Sequence, residues 1–219
     1  DLPQISEEEE VARAAAAGVD LSAAFSERET HAATYDVDGI LLPRPFKVVR
    51  IGPVGLFVED VEKVSAFYTQ VMGFIHTRDV VFEGHVCRFF RCNTEHHSLA
   101  LYPLALRERL GGSPDSTCMS FGLQLANYRQ MRDAIAYLAE RGRPVVELPG
   151  ALFPGVDYAA AVRDPDGHLV ILYTYMEQVG PQGARPEPLN PNTSVATWPE
   201  RIAGRPDHFM GESYLGPWG

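Results

Sequence analysis

Two adjacent histidines, His96 and His97, open an apolar stretch in the segment CNTEHHSLALYPL (residues 92–104). Imidazole nitrogens bind transition metals, and they also transfer protons near neutral pH. A metal site needs three or four ligands, so the pair indicates a metal only if other residues complete the set. Adjacent side chains on a strand point to opposite faces. We therefore expect the two imidazoles to lie on opposite faces, so that only one of them can face a cavity.

Few other residues offer matching chemistry. His85 lies in or beside the preceding predicted strand and could reach the cavity rim, and Tyr158 could supply a hydroxyl. A metal site made from His97 and His85 would have only two ligands. Cys92 has the opposite strand parity to His97, and a buried, inert thiol is the more common case. The sequence therefore favours acid–base work by His97, with His85 or Tyr158; the alternative is that His97 is an inert core histidine.

The composition excludes several classes of function. The chain has 219 residues, 45% of them hydrophobic, and a formal net charge of −10, which argues against nucleic-acid and anionic-membrane surfaces. No apolar run approaches the roughly 18 residues of a membrane span. Three cysteines form no disulfide framework, and the chain opens without signal-peptide features, so we expect a cytoplasmic protein. The missing initial Met suggests a processed chain or part of a longer one.

The elements that would position these residues lie between residues 47 and 176. Asp60 and Asn127 each precede a run of apolar residues at helical spacing, and each run ends at a glycine. Strand-like segments surround both helices, so the order strand, helix, strands occurs twice, in modules of about 47–93 and 94–176. The pattern predicts an α+β fold in which paired βαβββ modules form an incomplete barrel around a cavity. The segment RPVVEL is predicted to be one of the strands.

Two extensions flank this predicted domain. Residues 1–46 form an N-terminal extension, a helix with a capping pattern at Ser6 and Glu9 followed by a linker. Residues 177–219 are rich in proline and are predicted to form an irregular tail that wraps the domain or a neighbouring subunit. Its anchors would be the large aromatic residues Trp198, Phe209, Tyr214 and Trp218. We therefore expect an oligomer, either of identical chains or with a different partner.

The predicted domain resembles the vicinal oxygen chelate superfamily of glyoxalases, bleomycin-resistance proteins and extradiol dioxygenases. Within it, the chain is most similar to the metal-binding domain of the extradiol ring-cleavage dioxygenases. The similarity covers about residues 46–176. It rests on the segments RIGPVGLFVEDVEKVSAFYTQVMGF, FFRCNTEHHSLAL, GRPVVELPG and YAAAVRDPDGHLVILYT. In that family, two His and one Glu hold ferrous iron, with open positions for the substrate and dioxygen.

The resemblance also implies where the family's functional residues should fall. The second metal-binding His corresponds to His97, but the first corresponds to Pro53 and the Glu to Ile171. The family's tyrosine and further histidine near the metal correspond to Ala161 and Leu152. Four of these five positions are apolar, so the resemblance implies an incomplete ligand set. We therefore expect no bound metal and no other cofactor; Fe(II) would be the cofactor only if the family's chemistry were retained.

Three functions remain open at this stage. The first is an enzyme of dioxygenase ancestry that acts on a small aromatic compound without the Fe(II) site. The second is a catalytically silent subunit that binds a ligand or supports an active partner chain. The third is iron-dependent ring cleavage with unusual ligands. Whether the chain is an enzyme is therefore undecided, although the retained histidine segment favours one.

Overall fold

The computed structural model describes residues 7–18, 34–37, 39–179 and 193–202. The chain divides into two compact units, Asp1–Arg44 and Pro45–Gly219. The predicted capping residue Ser6 and the predicted anchors Phe209, Tyr214 and Trp218 lie outside the described residues.

The first unit contains a helix and a short hairpin. Helix α1 spans Glu7–Ala16, in the region where the sequence predicts a helix. Strands β1 (Tyr35–Val37) and β2 (Ile40–Leu42) pair antiparallel, and the Gly39 amide donates to the Asp36 carboxylate across the turn. The hairpin was not predicted, because strands of three residues are too short to show an alternating pattern.

The second unit contains a seven-stranded mixed sheet with the order β4-β5-β6-β3-β7-β9-β8. Its strands are β3 (Val48–Val58), β4 (Ile75–Phe82), β5 (His85–Arg91), β6 (Leu99–Pro103), β7 (Cys118–Leu125), β8 (Ala159–Arg163) and β9 (Leu169–Tyr173). The predicted strand RPVVEL is reduced to a single bridge between Val146 and Ala161. The sheet stays open, as the predicted incomplete barrel requires.

Two helices pack on the outer face of this sheet. Helix α2 (Val61–Ala66) continues into a π-helical turn (Phe67–Val71), and helix α3 spans Tyr128–Glu140. Asp60 and Asn127 cap them as predicted, each side chain accepting a hydrogen bond from the backbone amide three residues later.

The strand pairing repeats between the two halves of the sheet. In the first half β3 pairs parallel with β6, which pairs antiparallel with β5; in the second half β7 pairs parallel with β9, which pairs antiparallel with β8. The halves meet where β3 and β7 pair antiparallel. Strand β6, which follows the predicted module boundary near residue 93, pairs with β5 and β3 of the first half.

Three groups of buried residues form the core. The inner cluster lies on the concave side and includes Phe57, Phe89, Tyr102, Leu152 and Tyr173. Because edge strand β4 contacts the short 3₁₀ turn Gly150–Leu152 of the other half, the sheet curves around this cluster.

The other two clusters lie beneath the helices. The α2 cluster includes Phe90, Leu99 and Leu101, and the α3 cluster includes Tyr128, Met131 and Leu172. Trp198, one of the predicted anchors, is buried in the α3 cluster, and the carbonyl of Pro199 accepts a hydrogen bond from the Tyr128 hydroxyl. Among the described residues, no helix is long and apolar enough to cross a membrane.

Candidate functional site

A small central cavity lies on the concave side of the sheet. Its polar side chains are His97, Tyr102, Ser120 and Tyr173. Its other lining residues are glycine or apolar, namely Pro53, Val54, Gly55, Ala100, Gly122, Phe153, Val156 and Ile171. The cavity volume is about 20 Å³, which is room for about one water molecule. Of the residues that the structure describes, none in the lining has an acidic or basic side chain apart from the imidazole.

The repeat of the fold identifies equivalent positions on the two central strands. Pro53 on β3 and Ser120 on β7 each lie seven residues before a helix cap, Asp60 and Asn127 respectively. Both residues line the cavity. Ser120 is therefore the structural counterpart of Pro53, at which the resemblance places the family's first metal-binding histidine.

A second equivalent pair lies on the strands next to them. Gly55 and Gly122 each lie five residues before the same caps, and their strand partners are Ala100 on β6 and Ile171 on β9. Ala100 and Ile171 both line the cavity. Ile171 is where the resemblance places the metal-binding glutamate, so the structure brings Pro53 and Ile171 together at one cavity as that resemblance implies.

These four inward positions offer few donor atoms to a metal. Pro53, Ala100 and Ile171 have none in their side chains, and Ser120 has one hydroxyl. Among the described residues, no group of three His, Cys, Asp or Glu side chains could hold a metal ion. The family's ferrous site requires two imidazoles and one carboxylate. The lining supplies one imidazole and no carboxylate, so the residues present do not fit that site.

Gly122 allows Pro53 to fill the space at this position. A Cβ atom on Gly122 would lie closer than 3.0 Å to the Gly52 carbonyl and to the Pro53 ring. The proline ring therefore packs directly on the bare backbone of β7. The apolar ring of Pro53 thus occupies the position at which the resemblance places a metal-binding side chain.

The two histidines do not alternate as they would on a strand. Residues 92–98 are irregular, and β6 begins only at Leu99. Both imidazoles are buried, and their Nδ1 atoms lie 3.1 Å apart. Both rings also contact the edge or face of Phe89, with centroids 6.3 and 5.1 Å away. Of the two, His97 lines the cavity and His96 does not, as expected, but the rings face each other rather than opposite sides, because strand parity does not apply to this segment.

Burial determines the protonation of His97. Desolvation holds the pKa of His97 well below its ordinary value of 6.5, and the neighbouring His96 lowers it further. The ring is therefore neutral at pH 7. One Nδ1 atom of the pair must donate and the other accept, so the contact fixes complementary tautomers of the two rings.

A buried carboxylate supports His96 from the far side. Nε2 of His96 lies 4.0 Å from Oε2 of Glu177, and both side chains are completely buried. The backbone reinforces this contact, because the His96 amide donates to the Glu177 carbonyl at 2.8 Å. Glu177, His96 and His97 thus lie next to one another between the segment after β9 and the cavity.

A second polar group lies beside the cavity. Arg50 on β3 pairs with Glu95 and donates to the Tyr173 hydroxyl at 3.2 Å. The Tyr173 hydroxyl donates in turn to the Gly52 carbonyl at 2.8 Å. Burial raises the pKa of Tyr173 to about 12, so this cavity hydroxyl is protonated at neutral pH. The positive charge of Arg50 is already neutralised by Glu95.

The structure does not bring the other two predicted residues to the cavity. His85 begins β5 at the turn of the β4–β5 hairpin and is absent from the cavity lining. Tyr158 belongs to the α3 cluster, where its ring packs 4.8 Å from Tyr128 and 5.4 Å from Trp198. Ala160 and Val162 on β8 face helix α3. Alternate residues of an extended segment share a face, so Tyr158, two residues before Ala160, also lies on this outer side.

Sequence reasoning missed Ser120, Tyr173 and Glu177. Ser120 could have been found by counting back from the two helix caps. Tyr173 sits in the run HLVILYTY, where the apolar pattern indicated only a central strand. Glu177 follows that strand in the predicted irregular tail, so nothing in its neighbourhood indicated a buried position.

The comparisons agree with this architecture. A family model described as the Glyoxalase/Bleomycin resistance protein/Dioxygenase superfamily matches residues 50–172. A comparison with the curated proteins finds no match. The structure of 2,2′,3-trihydroxybiphenyl 1,2-dioxygenase from Sphingomonas wittichii strain RW1 is similar, with 23% identity and a TM-score of 0.52, over 69% of this chain and 50% of that one.

Two further solved structures are similar at lower scores. The 2,3-dioxygenase LapB from Pseudomonas sp. KL28 has 20% identity and a TM-score of 0.49, over 61% of this chain and 43% of its own. The Mn(II)-bound glyoxalase from Novosphingobium aromaticivorans has 18% identity and a TM-score of 0.47, over 75% of this chain and 52% of that one.

The chain therefore spans about half the length of the solved structures that it resembles. At these identities the likeness to solved structures concerns the fold alone. The family match covers more than half of the 219 residues and coincides with the repeated strand–helix–strands pattern. This chain belongs to the Glyoxalase/Bleomycin resistance protein/Dioxygenase superfamily and has its vicinal oxygen chelate fold.

Proposed function

We propose that this chain is a metal-independent member of the superfamily that binds a small, uncharged aromatic compound in the central cavity. One observation carries the proposal: of the four equivalent inward positions, three are apolar and the fourth is Ser120, whereas His97 remains in the lining. A binding protein of this kind keeps the concave site of the fold and replaces metal chemistry with that of its own side chains.

The lining supports the choice of an uncharged aromatic ligand. Most lining residues are apolar, and His97 is held neutral by burial. The nearby charge of Arg50 is paired with Glu95. A charged ligand would lose hydration here without gaining a counter-ion. The similar dioxygenase from Sphingomonas wittichii is named for an aromatic substrate, which agrees with this class.

His97 is the group proposed to act on the ligand. A neutral imidazole at the wall of an apolar site can accept a hydrogen bond from the hydroxyl of a bound phenol-type compound. Burial disfavours the imidazolium, so the ring orients and polarises the O–H bond without taking its proton. The contact between the Nδ1 atoms of His96 and His97 holds the ring in place for this hydrogen bond.

A catalytically silent subunit is the second candidate, and the small size of the cavity favours it. A volume of about 20 Å³ is far below the several hundred Å³ of ordinary ligand pockets. In that case His96 and His97 would serve only the packing of the inner cluster. Oligomer formation, with identical or different chains, stays a prediction, and copurification of a second chain with three metal-binding residues would favour this candidate.

Metal content tests the first part of the proposal. Protein purified without chelators is expected to contain well below one equivalent of iron or manganese per chain, because the cavity supplies a single imidazole. Elemental analysis by mass spectrometry after gel filtration would measure it. A known metal-dependent dioxygenase purified in parallel is the control for metal loss. Stoichiometric iron that survives dialysis would contradict the proposal and restore ring cleavage with unusual ligands.

The role of His97 can be tested by binding. We expect His97→Gln to weaken phenol binding by about tenfold, the loss of one buried hydrogen bond of about 1.4 kcal/mol. Isothermal titration calorimetry would measure the affinity of both variants and of the unmodified chain. His85→Gln is the matched control, because His85 does not line the cavity. Equal effects of the two changes would favour the silent subunit.

A further inference from the structure

The side chain of Phe153 stands between the central cavity and a neighbouring crevice. The crevice is lined by Val146, Leu148 and Thr193 together with the alanines of β8, and it is too narrow for a water molecule. Among the described residues, only Phe153 and Ile171 line both spaces. Ile171 is fixed in the middle of strand β9, whose two neighbours β7 and β8 are hydrogen-bonded to it. Phe153 lies outside any strand.

The segment that carries Phe153 is built as a short plug. It begins at Pro149, forms the 3₁₀ turn Gly150–Leu152 and ends at Gly155. Leu152 is fully buried in the inner cluster, and its carbonyl accepts a hydrogen bond of 2.9 Å from the Tyr102 hydroxyl. The plug thus occupies the concave space that the curved sheet would otherwise leave for a ligand.

The far end of the plug is tied to the histidine pair. Gly155 packs directly on His96, and its carbonyl accepts a hydrogen bond of 2.6 Å from the Glu177 amide. Phe153 lies between these two attachments, at Leu152 and Gly155, and 6% of the residue's surface is exposed. A rotation of this ring is the smallest change that would join the crevice to the cavity, because both backbone attachments can stay in place.

We propose that Phe153 is a gate that sets the size of the ligand site. With the ring inward, the cavity holds about one water molecule; with the ring turned away, the cavity and the crevice form one site for a single aromatic ring. This inference rests on the proposed function, because it assumes that the cavity takes a ligand. The ligand class is a small neutral phenol, since the enlarged site is apolar and has hydroxyl and imidazole partners in Ser120, Tyr173 and His97.

Phenol binding to the full chain tests the gate. Phe153→Ala is expected to bind phenol at least about tenfold more tightly than the unmodified chain, and with a faster association rate, because the partition is gone. Titration calorimetry and stopped-flow fluorescence would measure the two quantities. Leu101→Ala is the matched control, since it also empties a fully buried position but lies in the α2 cluster away from both spaces. Phe153→Leu, with a smaller expected gain, replaces Phe153→Ala if the alanine variant does not fold.

The outcomes separate the gate from the proposed function. If Phe153→Ala gains no more affinity than Leu101→Ala, or if the unmodified chain binds phenol as tightly and as fast, Phe153 is not a gate. The double variant, Phe153→Ala with His97→Gln, then tests the histidine, and its phenol affinity is compared with that of Phe153→Ala. An equal affinity of the two supports the gate and contradicts the role of His97. A weaker affinity of the double variant supports both.

Discussion

Replacing Gly155 with alanine is expected to lower the free energy of unfolding by about 3 kcal/mol or more, the largest loss we expect from adding one methyl group. Gly155 has a φ of 80°, where an L-residue costs about 1–2 kcal/mol. A Cβ atom there would also lie closer than 3.0 Å to three atoms of the buried His96 side chain. Overpacking of this kind adds about 1–3 kcal/mol. Urea denaturation monitored by circular dichroism would measure the loss.

Gly84 supplies a control with the same backbone conformation. Its φ is also 80°, but a Cβ atom there would meet no atom within 4 Å. Gly84→Ala should therefore cost only the conformational part, about 1–2 kcal/mol. The difference between the two variants measures the contact of the plug with His96. Equal losses would mean that His96 can move away, and the tight packing of the histidine pair would not hold in solution.

Acidification from pH 7 to pH 5 is expected to remove about 2 kcal/mol of stability through His97 alone. In the unfolded chain this imidazole takes up a proton below about pH 6.5, whereas in the folded chain burial holds its pKa well below that value. The unfolded state therefore binds more protons in this window, so stability falls as the pH falls, by up to about 1.4 kcal/mol per pH unit. The contribution levels off well above pH 6.5, where the unfolded chain no longer binds this proton.

The measurement compares slopes rather than absolute stabilities. Urea unfolding at several pH values between 5 and 7 gives the free energy of unfolding as a function of pH. This free energy should change less steeply with pH in His97→Gln than in the unmodified chain. His85→Gln, a change away from the cavity lining, is the control variant. Carboxylates whose folded-state pKa is lowered, such as Asp79 and Asp164, titrate mainly below this window. An unchanged slope in His97→Gln would contradict a buried, neutral His97.

Much of the fold could be predicted because it depends on local pattern. The caps Asp60 and Asn127 and the apolar spacing after them define both helices, and the alternation of apolar residues defines most strands. The strand predicted around Val146 failed, because an edge segment with one bridge is stabilised by little except its neighbours. The π-helical turn after α2 also lies beyond sequence patterns, since it depends on how the helix end packs.

The candidate site could be predicted less well, because it depends on contacts between distant segments. The apolar residues Pro53 and Ile171 could be placed by counting within motifs, and both do line the cavity. Counting could also have placed Tyr158 on the outer side, since it lies three residues before Ala161 and so has the opposite strand parity. Glu177 and His96 meet only because the segment after β9 returns to pair with residues 94–96.

The sequence by itself determined the family, the helix positions and the small number of metal-binding side chains at the site. Each of these depends on residue types at fixed spacings, which are local properties. Only the tertiary structure decided that His96 and His97 face each other, that Ser120 is the counterpart of Pro53, and that Phe153 divides the space beside them. These features follow from the curvature of the sheet and from the irregular segments that fill it. Burial then decides the chemistry, since the same imidazole would titrate near pH 6.5 in water and stays neutral in this cavity.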